Sequence, residues 1–293
     1  MKRRASSTGI DHIGIVGRKL DGLERAFRHL GFNVAPRCAL LKPAAGGGFE
    51  PMDQVNHHVI LGNGYIELTA MTKTSARHHL APLIARYAGL HIVALTTDLA
   101  EASAAELHRN GIEVPAPAGA ARDVRYPGAS GTAQFRWFKL PDEVAGEGLF
   151  CYVEHLTREL VVRPELATHA NGARDLTHIT MCVARPRAVI KRYMQIFDVP
   201  ARQGKVGYWF DLAIGKLRVV DRAQLKTLYP GVEPPYMPWL AGFTVSVPSL
   251  AETAACLKEQ GVRAHGKGRK RLWVHPDDAG GAIVSFVRSA TAA

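Results

Sequence analysis

One phrase recurs four times along the 293 residues: a short β-branched strand, an amphipathic helix ended by glycine, then further strands. The first copy opens with Ile10 to Val16 and continues through a helix at Leu20–Leu30, where Leu20, Leu23, Phe27 and Leu30 make one apolar stripe closed by Gly31. A strand at Phe32–Val34, a Gly/Pro-rich loop from Pro43 to Pro51 and a hairpin from Asn56 to Met71 complete it. The second copy starts at Gly89–Leu95, places a helix near Leu99–Asn110, and ends on Thr132–Leu140 and Leu149–Leu156. The third starts at Leu176–Val183 with a helix at Pro186–Phe197, and the fourth at Ala241–Val247 with a helix at Leu250–Gln260. Leu30-Gly31-Phe32, Asn110-Gly111-Ile112 and Gln260-Gly261-Val262 repeat the same helix-to-strand step. The fold class expected is α+β: four βαβββ modules in two tandem pairs, each pair a curved mixed half-barrel sheet with helices outside. The polar stretch Pro164–Arg174 divides the pairs, giving domains at 1–168 and 169–293.

The hairpin is the most informative single stretch. Gly62-Asn63-Gly64 between two β-rich runs predicts a two-residue type I′ turn at Asn63-Gly64, which pairs Ile60 with Glu67 and His58 with Thr69. Tyr65, Glu67 and Thr69 then share a face with His58 and Ile60, opposite an apolar face of Val59, Leu61, Ile66 and Leu68. A carboxylate mid-strand lines something.

Composition narrows the function classes. No apolar run reaches the roughly 20 residues of a membrane span, and the basic start lacks the apolar segment of a signal peptide. Cys38, Cys151, Cys182 and Cys256 have no paired spacing, so a reducing, cytoplasmic setting is expected. The net charge of +11 suits an anionic small-molecule substrate, or simply an arginine-rich surface. The one dense basic run, His265 to Arg271, has neither a recognition-helix pattern nor interleaved aromatics, so neither nucleic acid nor membrane is an expected partner. A homodimer is compatible with the pattern.

Repeat symmetry singles out four ionisable residues. His12 and His91 stand in the first strands of modules one and two, Glu67 and Glu154 in the last strands. Two imidazoles and two carboxylates at matching places form a set for one divalent ion: zinc, nickel, iron, cobalt or manganese. A lone histidine on a strand is more often structural; four residues placed by repetition argue otherwise. His58 shares the face of Glu67 and, with Tyr65 and Tyr152, is a candidate substrate contact. His155 faces away from Glu154 and reads as structural or interfacial, and His78-His79 as a surface pair. The second half keeps His178 without a matching carboxylate, so no metal is expected there. It would shape the cleft, mediate oligomerisation or bind a different ligand. The loop at Ala44–Gly48 and the segment Pro115–Gly131 read as lids.

At these residues the chain resembles the vicinal oxygen chelate superfamily, which is built of paired βαβββ modules. Ile10-Asp11-His12-Ile13, Tyr65-Ile66-Glu67-Leu68, Gly89-Leu90-His91-Ile92 and Tyr152-Val153-Glu154-His155 stand where glyoxalase I carries its His, Glu, His and Glu ligands, and Phe150 to Pro164 is similar to a phrase of glyoxalase-like domain proteins. The resemblance implies a metal-dependent lyase or isomerase. An open-sided ion binds two neighbouring substrate oxygens and stabilises an enolate, and Glu154 or Glu67 shuttles the proton. No glutathione-binding set is recognisable. Extradiol ring-cleaving dioxygenases, iron(II) enzymes of four modules, are the rival; a non-catalytic small-molecule-binding protein of the same fold is the third possibility.

Overall fold

The computed structural model of the chain describes residues 8–73, 75–266 and 270–289, which hold sixteen strands and eight α-helices. In the first half these are β1 (Ile10–Val16), α1 (Leu20–His29), β2 (Cys38–Pro43), β3 (Phe49–Leu61), β4 (Gly64–Met71), α2 (Ala81–Arg86), β5 (Gly89–Thr96), α3 (Ala100–Arg109), β6 (Ala118–Tyr126), β7 (Ala129–Lys139), α4 (Asp142–Ala145), β8 (Leu149–His155) and α5 (Arg158–Val161). The second half contains β9 (Leu176–Cys182), α6 (Pro186–Phe197), β10 (Arg202–Gln203), β11 (Tyr208–Asp211), β12 (Lys216–Val220), α7 (Arg222–Leu228), β13 (Trp239–Val247), α8 (Leu250–Glu259), β14 (Ala264–His265), β15 (Leu272–Val274) and β16 (Ile283–Arg288).

The architecture is mixed α+β, with two eight-stranded sheets that differ in one respect. The first is a closed barrel, β1-β4-β3-β2-β6-β7-β8-β5, where an open half-barrel is expected from the sequence. The second stays open, β10-β11-β12-β9-β13-β16-β15-β14. Closure depends on the length of each module's second strand. β2 and β6 run six and nine residues and pair antiparallel through Ala39–Asp123, Leu40–Arg122 and Leu41–Ala121. Their counterparts β10 and β14 have two residues each and form the two edges of the open sheet.

Strand placement also departs from the sequence reading. Phe32–Val34 and Ile112–Val114 are not strands. Phe32, Val34, Ile112 and Val114 plug the core, each no more than 9% exposed, and the true second strands begin after Pro36 and Pro117. Pro115–Gly131 is therefore no lid: most of it is β6, a stave of the barrel. Ala44–Gly48 is only the turn between β2 and β3.

The main core lies between the convex faces of the two sheets. It takes Leu20, Leu23 and Phe27 from α1, Leu107 from α3, Tyr193 from α6 and Leu257 from α8. The hairpin turn docks the halves together: Asn63 exchanges side-chain hydrogen bonds with the backbone of Leu176, and Gly62 N–H donates to Arg174 O at 2.8 Å. No residue from 62 to 64 has positive φ, so the turn is not type I′. Gly64 answers a steric demand instead, because a Cβ there would stand 2.1 Å from Asp11 O.

Candidate functional site

The barrel holds a cavity of about 100 Å³ that opens to solvent, lined by His12, Tyr65, Glu67, Gln54, Arg122 and Cys151 beside Ile92, Phe135, Leu149 and Val153. Half-buried Leu40, Met52, His79 and Trp137 stand on its wall as well, so His79 belongs to the cavity rather than to a surface pair.

Strand alternation supplies most of these groups. On β4, Tyr65 and Glu67 face inward, as the hairpin predicts, although the observed register pairs His58 with Glu67 and Ile60 with Tyr65. The slip is an even number of positions, and an even slip preserves the face. On β6, Ala120 and Arg122 face inward by the same period of two.

β1 breaks the period. Ile10 pairs with Leu95 and His12 with Ala94, so Asp11 is the extra residue of a β-bulge. Asp11 is 1% exposed, and its Oδ2 accepts from His12 Nδ1 at 2.7 Å and from His155 Nε2 at 2.9 Å, while Arg158 binds Oδ1. Burial alone would raise this carboxyl, but the two imidazole hydrogen bonds hold it well below its ordinary value. His155 moves downward, because burial outweighs the neighbouring Asp11. With Nδ1 committed to Asp11 and its ring stacked on Tyr65 at 4.3 Å, His12 has Nε2 left on a ring that lines the cavity.

An ion pair stands across the lumen. Glu67 Oε1 accepts from Arg122 Nη2 at 3.2 Å and from Asn56 Nδ2. Burial would lower the guanidinium, but Tyr65 and Glu67 hold it above its ordinary value, so it stays charged. Arg122 also lies over the rings of Phe135 (5.1 Å) and Tyr65 (5.8 Å). Among the described residues, Arg122 Nε and Nη1, Tyr65 Oη, Gln54 Oε1, Asn56 Oδ1, His58 Nε2 and His155 Nδ1 are buried without a hydrogen-bond partner. Orphans at this density mark a site that accepts polar atoms from elsewhere.

The four residues expected to share an ion do not converge. His12 and Glu67 reach the lumen; His91 and Glu154 do not. His91 is the bulge residue of β5, stacked on Tyr87 at 3.9 Å with Nε2 on Tyr87 O at 2.8 Å, and burial lowers it to about 4. Glu154 Oε2 accepts from Ala100 N–H at the start of α3. Tyr152 faces the same outer side, stacking on Phe138 and donating to Ile196 O, whereas His58 and Tyr65 stand inside, both fully buried. The β1–β5 register explains this outcome. Its reciprocal pairs Ile10–Leu95 and Ile15–Leu90 match Asp11 with His91 and His12 with Ile92. His12–Tyr65 and Gly14–Glu67 correspond to Ile92–Leu149 and Ala94–Cys151, so the counterpart of Glu67 is Cys151.

A metal fit can therefore be tested on two donor sets. The four-donor cage does not fit, because two of its positions hold Ile92 and Cys151. Asp11, His12 and His155 do bring one donor atom each within 4.8 Å of one another, and two imidazoles plus a carboxylate suit zinc or iron. Those donor atoms are bonded to one another, however, and Arg158 already balances the carboxylate. An ion would have to displace these bonds beside the half-exposed Arg158 guanidinium. Loading this set therefore requires the two imidazole hydrogen bonds to Asp11 to open.

Arg122, Asp11 and His155 are the residues that sequence reasoning missed. A signal existed for Arg122 in the alternation Ala120-x-Arg122-x-Val124-x-Tyr126, obscured by the Pro/Ala/Gly-rich run before it. None existed for Asp11, since a bulge leaves no mark on a single sequence.

Residues 10–197 match the family profile described as glyoxalase-like domain. No curated protein matches the chain in sequence. Among solved structures, a hypothetical protein from Staphylococcus aureus superposes with TM-score 0.63 at 13% identity, covering 96% of this chain and 100% of that one. A triple mutant of 4-hydroxymandelate synthase from Streptomyces coelicolor gives 0.58 at 11%, covering 96% and 92%. A xylose isomerase-like TIM barrel/4-hydroxyphenylpyruvate dioxygenase fusion protein gives 0.61 at 10%, covering 99% of this chain and 50% of that chain. At these identities the likeness is one of fold.

Proposed function

Since the chain belongs to the glyoxalase-like domain family of the vicinal oxygen chelate superfamily, we propose that the barrel lumen is the active site of a lyase or isomerase working by proton transfer on a small anionic substrate. One observation carries this reading. Two buried hydrogen-bonded pairs, Asp11–His12 and Glu67–Arg122, each orient a partner that keeps unused nitrogens beside the same cavity.

In this mechanism His12, held by Asp11 in the tautomer with Nδ1 protonated, takes the proton α to a substrate carbonyl on Nε2. Asp11, kept ionised, stabilises the imidazolium that results. Arg122, oriented by Glu67, offers Nε and Nη1 to the enolate oxygen and an adjacent carboxylate. Tyr65, whose hydroxyl burial pushes up and so keeps protonated, adds a third donor. Returning the proton to the neighbouring carbon completes an isomerisation; expelling a β-substituent completes a lyase reaction. The base is thus reassigned from Glu67 or Glu154 to His12. A cavity of about 150 Å³ holds benzene, so one of about 100 Å³ has room for a reacting group of about four to six heavy atoms.

The test is proton exchange from three- and four-carbon 2-oxo acids in D2O, followed by proton NMR. Wild type should accelerate exchange, and His12→Gln should slow it by about 10²–10⁴-fold. Equal rates in the two proteins would overturn the assignment. A second reading rests on the convergence of Asp11, His12 and His155: there these residues would hold a divalent ion, and the chemistry would be that of an iron(II) oxygenase, the rival raised by the sequence resemblance and in keeping with a neighbour named as a dioxygenase. Stoichiometric metal in purified protein, lost in His155→Ala, together with oxygen uptake on a catechol, would favour it. Micromolar binding without turnover would favour a sequestering protein.

A further inference from the structure

We propose that the concave face of the open second sheet is a separate binding site for a small organic anion, held by Arg218 and Arg271. The face is defined by register. Arg218 on β12 pairs with Thr180 on β9, and Cys182, the next inward residue of β9, pairs with Trp239 on β13. Leu217 and Val219 point the other way, into the main core.

Two independent observations support an anion. The first is charge without compensation. Arg218 lies over the Trp209 ring at 4.0 Å and Arg271 over the Tyr229 ring at 4.6 Å, and no carboxylate pairs with either among the described residues. The residues outside the described set contribute no Asp or Glu. Burial, with Arg271 nearby, pulls Arg218 down to about 10 despite the opposing influence of Tyr229. His178, on the same face and held to Thr244 Oγ1 at 3.0 Å, is lowered to about 3 by burial and then by Arg218, Arg271 and Lys216. Every charge acting on it is positive. A guanidinium removed from water without a counter-ion is costly, and a bound oxyanion removes that cost.

The second is a set of orphaned atoms. Arg218 Nε and Nη1, Thr180 Oγ1 and Trp239 Nε1 are buried with no hydrogen-bond partner, and Thr180 and Trp239 are each 1% exposed. All four can donate a hydrogen, which is what a carboxylate or phosphate requires. The atoms stand against the buried apolar cluster of Cys182, Val220, Tyr229 and Trp239, a setting for a small molecule rather than a polyanion. The basic run read from the sequence ends at Arg271, which enters this face beside β15; its residues 267–269 lie outside the described set.

Titration of the wild-type protein with benzoate and, separately, inorganic phosphate tests this, read by tryptophan fluorescence and calorimetry. At least one probe should bind saturably. Affinity should fall about tenfold or more in Arg218→Gln and by a smaller factor in Thr180→Val, which keeps the volume and loses only the hydroxyl. His12→Gln, in the barrel, should bind as wild type, so failure of the lumen assignment leaves this result untouched. Binding of benzoate alone assigns a carboxylate ligand, and of phosphate alone a phosphorylated one. No saturation by either probe at about 10 mM, or equal affinity in Arg218→Gln and Thr180→Val proteins of native circular dichroism, would overturn the proposal.

Discussion

The two halves share an element order and diverge in how they treat a buried arginine. In the barrel, Arg122 has Glu67 beside it and two aromatic rings against it. In the open sheet, Arg218 has an aromatic ring and, among the described residues, no carboxylate. An internal counter-ion leaves a guanidinium free to orient and polarise; its absence leaves one that needs a ligand. The same fold thus presents a chemically balanced site and an unbalanced one.

The sharpest way to break the comparison is to truncate both arginines. Arg122→Leu strands Glu67 as an unpaired buried charge and should cost about 3–5 kcal/mol in urea denaturation. Arg218→Leu removes an unpaired charge, so the ligand-free protein should be unchanged or more stable. Equal losses would erase the distinction.

Acid should separate the halves next. His58 and His91 are neutral in the folded barrel, both lowered chiefly by burial, His91 to about 4. Unfolding lets each take a proton near pH 6.5. Their stabilisation is therefore complete above that pH and is lost as pH falls below it, for His91 down to about 4, by about 1.4 kcal/mol per unit for each residue. The second sheet has His178 in the same condition, with its window extending to about 3. Amide exchange, corrected for intrinsic rates, should show β3 and β5 losing more protection than β9 between pH 7.5 and 5.

The smallest contrast lies within the first half. Glu154→Gln should leave activity unchanged and cost about 1 kcal/mol, the value of a helix-start hydrogen bond. Glu67→Gln should reduce activity, since Arg122 loses the carboxylate that aims it. Activity assays and thermal melts on the two variants check both.

The architecture was legible because its signals are long and periodic. The α1 stripe, the inward face of β4 and the helix of Pro186–Phe197 needed only spacing to be found. Half of the site was not legible, for a reason of parity. The hairpin register slips by an even number of positions, and Glu67 still faces inward. Matching His12 with His91 is a slip of one, and one residue turns a strand inside out. Closure was hidden too: β6 follows Pro115 and Pro117 and opens on small residues of low strand propensity, and forms because β2 and β7 pair with it on both sides.

The reciprocal bulges have a consequence for how such sites arise. Ile92 and Cys151 stand where mirror-image partners of His12 and Glu67 would be, so Ile92→His with Cys151→Glu would complete a symmetric cage without altering a strand. Two point changes separate an imidazole–carboxylate dyad from a metal centre, a step short enough for one ancestral scaffold to have travelled in either direction.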